Sequence, residues 1–311
     1  MNRRLKSLAH KEFELLNTCE INDNDIVKVT KSGQIIDIQK VLKKCNILQS
    51  YNKISQNEYV YIKTGEVFEY KHVENRSQSI ANVKRSMKKL RNLINANFYG
   101  KDRKNELFIT LTYKENMTDT KRLYKDFKKF WDRVKYFCKS KYSLEYIAVA
   151  EPQERGAWHL HILVKTNNIN DTLFMAHEDI RKIWGLGTFI RVERLNEVDN
   201  VGAYLSAYLT NIETDTTNYD YEVKNKKIKK GARLYLYPTG MNIYRKSKGI
   251  VEPEIIKEIP YKDVITEFNL KNAKKTFKRT INIIDTDDNN KLLNSIYNEQ
   301  YNLSRMVGDI V

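Results

Sequence analysis

The chain has 311 residues, 41% apolar and 30% charged, with a net charge of +16. That length supports one large or two modest domains around an apolar core, and no apolar run approaches the roughly 20 residues of a membrane span. Three separated cysteines, Cys19, Cys45 and Cys138, exclude a disulfide framework and a paired zinc motif, so the expected compartment is a reducing cytoplasm.

Residues 1–75 read as an accessory segment: a helix near 5–16, then short strands at 26–30 and 35–38 joined by a turn at Ser32-Gly33. The N-terminus lacks the apolar stretch and cleavage site of a secretory signal. A helix is expected at 78–96, with Val83, Met87, Leu90 and Ile94 on one stripe. Residues 76–250 then alternate strand and helix. Strand 107–113 puts Phe108, Thr110 and Thr112 on one face and Ile109 and Leu111 on the other. Thr118 to Thr120 offer caps for a helix through Cys138 with the stripe Leu123, Phe127, Phe130, Trp131, Val134 and Phe137. Strands at 146–153 and 158–164 share a tight turn, followed by a helix at 172–184, a strand at 188–193 and a helix at 197–211. Residues 251–311 are expected to be accessory and helical or mixed. The order predicts an α+β domain, a central antiparallel sheet packed by helices.

A positive charge of this size favours a polyanionic partner, although heavy use of Lys, Asn and Ile also fits an A/T-rich genome. Local clustering favours nucleic acid. Lys84, Arg85, Lys88, Lys89 and Arg91 crowd one predicted helix. Lys224, Lys226, Lys227, Lys229, Lys230 and Arg233 crowd one predicted loop, where they are candidate DNA contacts.

The segment EPQERGAWHLHILV, from Glu151, carries the strongest chemical signal. In a strand His159 and His161 share a face. If Glu154, Arg155 and Gly156 form a three-residue hairpin loop with Gly156 in the left-handed position, Glu151 pairs with His159 across the turn, also on that face. Two imidazoles and a carboxylate then form a metal site. Without nearby thiolates the set suits Mn²⁺, with Mg²⁺ as a substitute. The plain alternative is that the histidines decorate a polar sheet face.

Tyr204 and Tyr208 lie one turn apart on the helix at 197–211, beside a core stripe of Val198, Val201 or Gly202, Leu205 and Leu209. Taken alone, such a pair is ordinary packing.

The ordered set FITLTY, EPQERGAWHLHILV and YLSAYLT resembles the three motifs of HUH endonucleases of the rolling-circle replication class, especially initiators of plasmids and phages from low-G+C Gram-positive bacteria. The likeness spans about 76–250, including RLYLYPTGMNIYRKSKGIVEPE. It implies a ferredoxin-like sheet, metal ligation by His159, His161 and Glu151, and a nucleophile at Tyr208 or Tyr204. It further implies single-stranded origin DNA as substrate, with a host helicase and DNA polymerase as partners. Thr110, Thr112, Tyr113 and Arg155 are further candidate DNA contacts. The tyrosines follow the histidines, as in replication initiators; conjugative relaxases place them before. Relatives often carry lysine on both sides of the second tyrosine, where this chain has Ala207 and Asn211. The absence of a GxxxxGK[ST] loop leaves unwinding to supercoiling or a host helicase. A transposase with the same chemistry, a non-enzymatic DNA-binding regulator and an RNA-processing protein are the competing readings.

Overall fold

The computed structural model describes residues 20–42, 51–62, 64–70, 74–139, 141–153, 155–195, 198–203, 205, 234–285 and 291–306. The helix expected at 5–16, Tyr204, Tyr208, Leu209 and the basic loop from Lys224 through Arg233 lie outside these residues.

Strands β1 (Ile26–Ser32) and β2 (Ile35–Val41) open the chain, followed by three short strands, β3 (Tyr51–Lys53), β4 (Glu58–Tyr61) and β5 (Val67–Glu69). Helix α1 (Ile80–Asn95), strand β6 (Glu106–Thr112), helix α2 (Thr120–Cys138), hairpin strands β7 (Leu144–Pro152) and β8 (Trp158–Thr166), helix α3 (His177–Trp184) and strand β9 (Ile190–Glu193) come next. After β10 (Tyr244–Lys246) the chain runs through β11 (Glu254–Pro260), helix α4 (Tyr261–Glu267), β12 (Ala273–Asp285) and β13 (Lys291–Met306). The described residues are therefore α+β with antiparallel sheets.

The chain divides into two compact units, one of Met1–His72 with Glu254–Val311 and the other of Val73–Pro253. In the first, a five-stranded sheet runs β11-β1-β2-β13-β12. Residues from both flanks of the sequence thus share one sheet, with Ile38 opposite Glu299. Val29, Ile36 and Ile38 pack with Tyr261, Val264 and Tyr301 in its core. The helical or mixed expectation for 251–311 is corrected here: α4 is one short helix, and β12 and β13 form a long hairpin. Lys and Asn dominate these strands and carry little intrinsic β-preference, so pairing with β2 decides their conformation.

In the second unit the sheet order is β10-β7-β8-β6-β9. β8 lies at its centre, flanked by β7 and β6. Alternation gives two faces. One carries Tyr146, Leu160, Ile162, Ile109 and Leu111, against which α2 packs through Phe127 and Trp131, whose rings meet Tyr146 at 5.0 and 4.5 Å. The stripe of α2 is as expected up to Val134, but Cys138 is buried and Phe137 is 51% exposed. Asp119 caps α2, accepting from the Lys121 and Arg122 amides at 2.8 and 3.2 Å. Helix α3 starts at His177, five residues later than expected. Its first turn carries Glu178 and Asp179, where acidic groups complement the helix dipole.

The segment after β9 is helical at 201–203 and 205, with Val201 and Leu205 buried. It lies against α1. The Gly202 amide donates to Asn95 Oδ1 at 2.7 Å, and Asn95 Nδ2 donates to Asn200 Oδ1 at 3.0 Å. Any Cβ at Gly202 would stand 2.4 Å from the Arg91 carbonyl oxygen, so this close approach requires glycine.

Candidate metal centre

The β7–β8 hairpin sets the site. Gly156 has φ 85°, its amide donates to the Gln153 carbonyl at 2.9 Å, and the Gln153 amide donates to the Ala157 carbonyl at 2.7 Å. The expected register follows: Pro152 opposes Trp158, and Glu151 opposes His159. On the other side of β8, Thr110 pairs with His161 and Thr112 with His159.

Three donor atoms converge on the remaining sheet face. Glu151 Oε2 lies 2.7 Å from His159 Nε2 and 2.9 Å from His161 Nε2, and the two Nε2 atoms are 3.1 Å apart. Ligands at right angles around one ion, each bonded at about 2.1 Å, stand about 3.0 Å from one another. The spacing therefore fits three adjacent positions on a single cation. His161 is 2% exposed and Glu151 7%, while His159 is half-buried and gives solvent its way to the cluster. Among the described residues, this is the group of His, Cys, Asp or Glu side chains that can hold a metal ion.

Burial opposes the charge on Glu151, and hydrogen bonds from His159 and His161 outweigh it, holding the carboxyl down to about 2. For His161 burial is the largest influence and lowers the imidazole below its ordinary value, against the pull of Glu151. At neutral pH a negative carboxylate and a neutral buried imidazole stand ready, the forms in which these groups ligate metals.

A second layer of contacts orients the rings. Thr110 Oγ1 lies 3.2 Å from His161 Nδ1, and the Phe108 ring stacks on the His161 ring, with centroids 5.6 Å apart at 8°. Gln153 Nε2 lies 3.4 Å from His159 Nδ1, while Arg155 Nε donates to Gln153 Oε1 at 3.0 Å. Such partners fix which ring nitrogen faces the metal. Gln153 was missed in the sequence, although its position two residues after Glu151 puts it on the same face.

The other candidates divide. Thr110 touches a metal-site ring. Thr112 shares the face but donates its hydroxyl to the Phe189 carbonyl at 2.5 Å. Arg155 is exposed on the turn. Tyr113 does not join the cluster: it is 5% exposed, donates to Asp126 at 3.2 Å and meets the Trp184 ring edge-on at 5.1 Å. Burial, reinforced by Asp126, pushes its phenol above the usual range. Of the basic cluster on α1, Lys84, Arg85, Lys88 and Lys89 are exposed and Arg91 is half-buried.

A cluster of this composition on a central antiparallel strand defines a candidate metal centre at the surface of an α+β protein. Residues 106–213, about a third of the chain, match a family model for the ORF2 type of replication-associated protein. The match begins at β6 and takes in the hairpin, both histidines and the tyrosine pair. No curated protein and no solved structure matches the chain. No helix among the described residues is long and apolar enough to cross a membrane.

Proposed function

We propose that this chain is a rolling-circle replication initiator that nicks single-stranded origin DNA with a tyrosine and stays attached to the cut end. One observation carries the reading: Glu151, His159 and His161 bring three ligand atoms within 3.1 Å of one another, inside the segment that matches a replication-associated family. The reading takes the unit containing β6–β10 as a ferredoxin-like HUH domain acting on a plasmid or phage replicon.

Glu151, His159 and His161 would hold Mn²⁺ or Mg²⁺, which when bound supplies positive charge beside the scissile phosphate. The phenol oxygen of Tyr208 or Tyr204 forms a bond to phosphorus as it loses its proton, and the bond from phosphorus to the 3′ oxygen breaks. The leaving oxygen takes up a proton, giving a 3′-OH that primes a host polymerase and a 5′-phosphotyrosine on the protein. The phosphoester is conserved, so attack by a 3′-OH on the phosphotyrosine rejoins DNA without a nucleotide cofactor. Two tyrosines permit a second cleavage at termination while the first still holds DNA. Tyr208 is assigned the first cut, from its YLT context.

The test is a denaturing gel for a covalent adduct with single-stranded origin DNA in Mn²⁺. The wild type should form one, Tyr204→Phe with Tyr208→Phe should form none, and His159→Ala with His161→Ala should lose both adduct and calorimetric Mn²⁺ binding. An adduct from the double phenylalanine variant places the nucleophile elsewhere and refutes the mechanism.

A further inference from the structure

Strand β9 extends the metal face of the sheet. Its pairing with β6 puts Arg191 opposite Thr110 and Ile190 opposite Leu111. Ile190 is buried on the side of Leu111, so Arg191 stands on the side of Thr110 and the histidines. Phe189, one residue before the strand, runs alongside Thr112, which donates to its carbonyl. From β8 to β9 is two strand spacings, about 10 Å, a distance spanned by one or two nucleotides of an extended single strand.

Both side chains are unusually open for their type. Phe189 is 63% exposed, whereas Phe108 and Phe130, also in this unit, are 5% and 1% exposed. The Arg191 side chain is 56% exposed, and its Nε lies 3.6 Å from Glu193 Oε1, an exposed pairing that a phosphate can displace at little cost. An exposed aromatic ring next to a guanidinium is the combination that holds single-stranded nucleic acid, the ring stacking on a base and the cation meeting the backbone.

We infer that Phe189 and Arg191 form a nucleotide subsite beside the metal centre, with Phe189 stacking on a base adjoining the scissile phosphate and Arg191 holding the neighbouring phosphate. The subsite rests on the nicking reading for its substrate. It adds the direction in which the strand leaves the metal centre: over β6 toward β9.

The test uses the full chain without metal, so that no cleavage is needed, and fluorescein-labelled dT20 as probe. Phe189→Ala should weaken binding about tenfold with an unchanged salt dependence, since stacking displaces no counterions. Arg191→Gln should flatten the log–log salt slope by about 0.7. Phe189→Trp should keep wild-type affinity, and dT20 should quench the new indole; Trp131, Trp158 and Trp184 are at most 7% exposed and give little competing signal. Wild-type affinity in Phe189→Ala, or an indole emission unmoved by dT20, would overturn the subsite and leave the nicking reading standing. Failure of the wild type itself to bind dT20 would overturn both.

Discussion

Replacing Thr110 by valine removes one oxygen and leaves the strand shape intact, which isolates the layer of contacts behind the metal ligands. The hydroxyl lies 3.2 Å from His161 Nδ1, with Thr110 7% and His161 2% exposed, so water has little room to replace it. Loss of such a partner typically lowers metal affinity about 10–100-fold. The Phe108 ring, stacked on the same imidazole at 8°, still holds the ring plane, which puts the expected loss near the lower end, about tenfold or ~1.4 kcal/mol. Thr112→Val is the matched control. Thr112 is 8% exposed, and its hydroxyl is donated to the Phe189 carbonyl rather than to a histidine. Both variants lose one buried hydrogen bond and should unfold about 1 kcal/mol more easily. Calorimetric titration with Mn²⁺ should separate them, with Thr110→Val weakened and Thr112→Val unchanged. Equal Mn²⁺ affinities would refute the idea that Thr110 orients His161.

Two further outcomes are expected. In chelator, the metal-free protein should melt at a lower temperature at pH 5.5 than at pH 7.5. His161 titrates below the ordinary 6.5, so below that pH the unfolded chain takes up a proton that the folded chain refuses. The Glu151 contribution has a lower window: it is complete above about 4.5 and is lost as the pH falls toward about 2. A His161→Gln variant should lose the upper part of this dependence; a melting curve as steep between pH 7.5 and 5.5 as the wild type's would contradict the assignment. Gly202→Ala, whose Cβ would stand 2.4 Å from the Arg91 carbonyl oxygen, should cost about 1–3 kcal/mol by overpacking. It should also reduce adduct formation by displacing the start of the tyrosine segment; a variant with wild-type melting and adduct yield would show that the α1 contact is yielding.

The metal cluster was legible because every step that builds it is local. Loop length and Gly156 fix the hairpin, the hairpin fixes Glu151 opposite His159, and strand alternation adds His161. Contacts across strands distant in sequence carried no such signal. The alternation in β6 puts Thr110 and Thr112 on one face, but only the pairing of β6 with β8 and β9 separates the one that touches a histidine from the one that bonds Phe189. Tyr113 follows two threonines in a motif-like run, yet Asp126 and Trp184 on the two following helices draw it into the opposite layer. The fold was missed most in β12 and β13, where polar residues on both faces hide the period of two and the partner strand lies far upstream.

That distant pairing has a consequence for synthesis. β2 ends at Val41 and its neighbour β13 begins at Lys291. At about 5–20 residues per second, roughly 12–50 s separates their emergence from the ribosome. Val73–Pro253, the unit with the metal cluster, is translated within that interval and can fold first. Meanwhile β2 waits with an open hydrogen-bonding edge, the feature on which nascent strands pair wrongly. A ribosome stalled before codon 291 would therefore release a chain with a complete metal-bearing unit and an unfinished sheet, a product suited to capture by a chaperone or a protease.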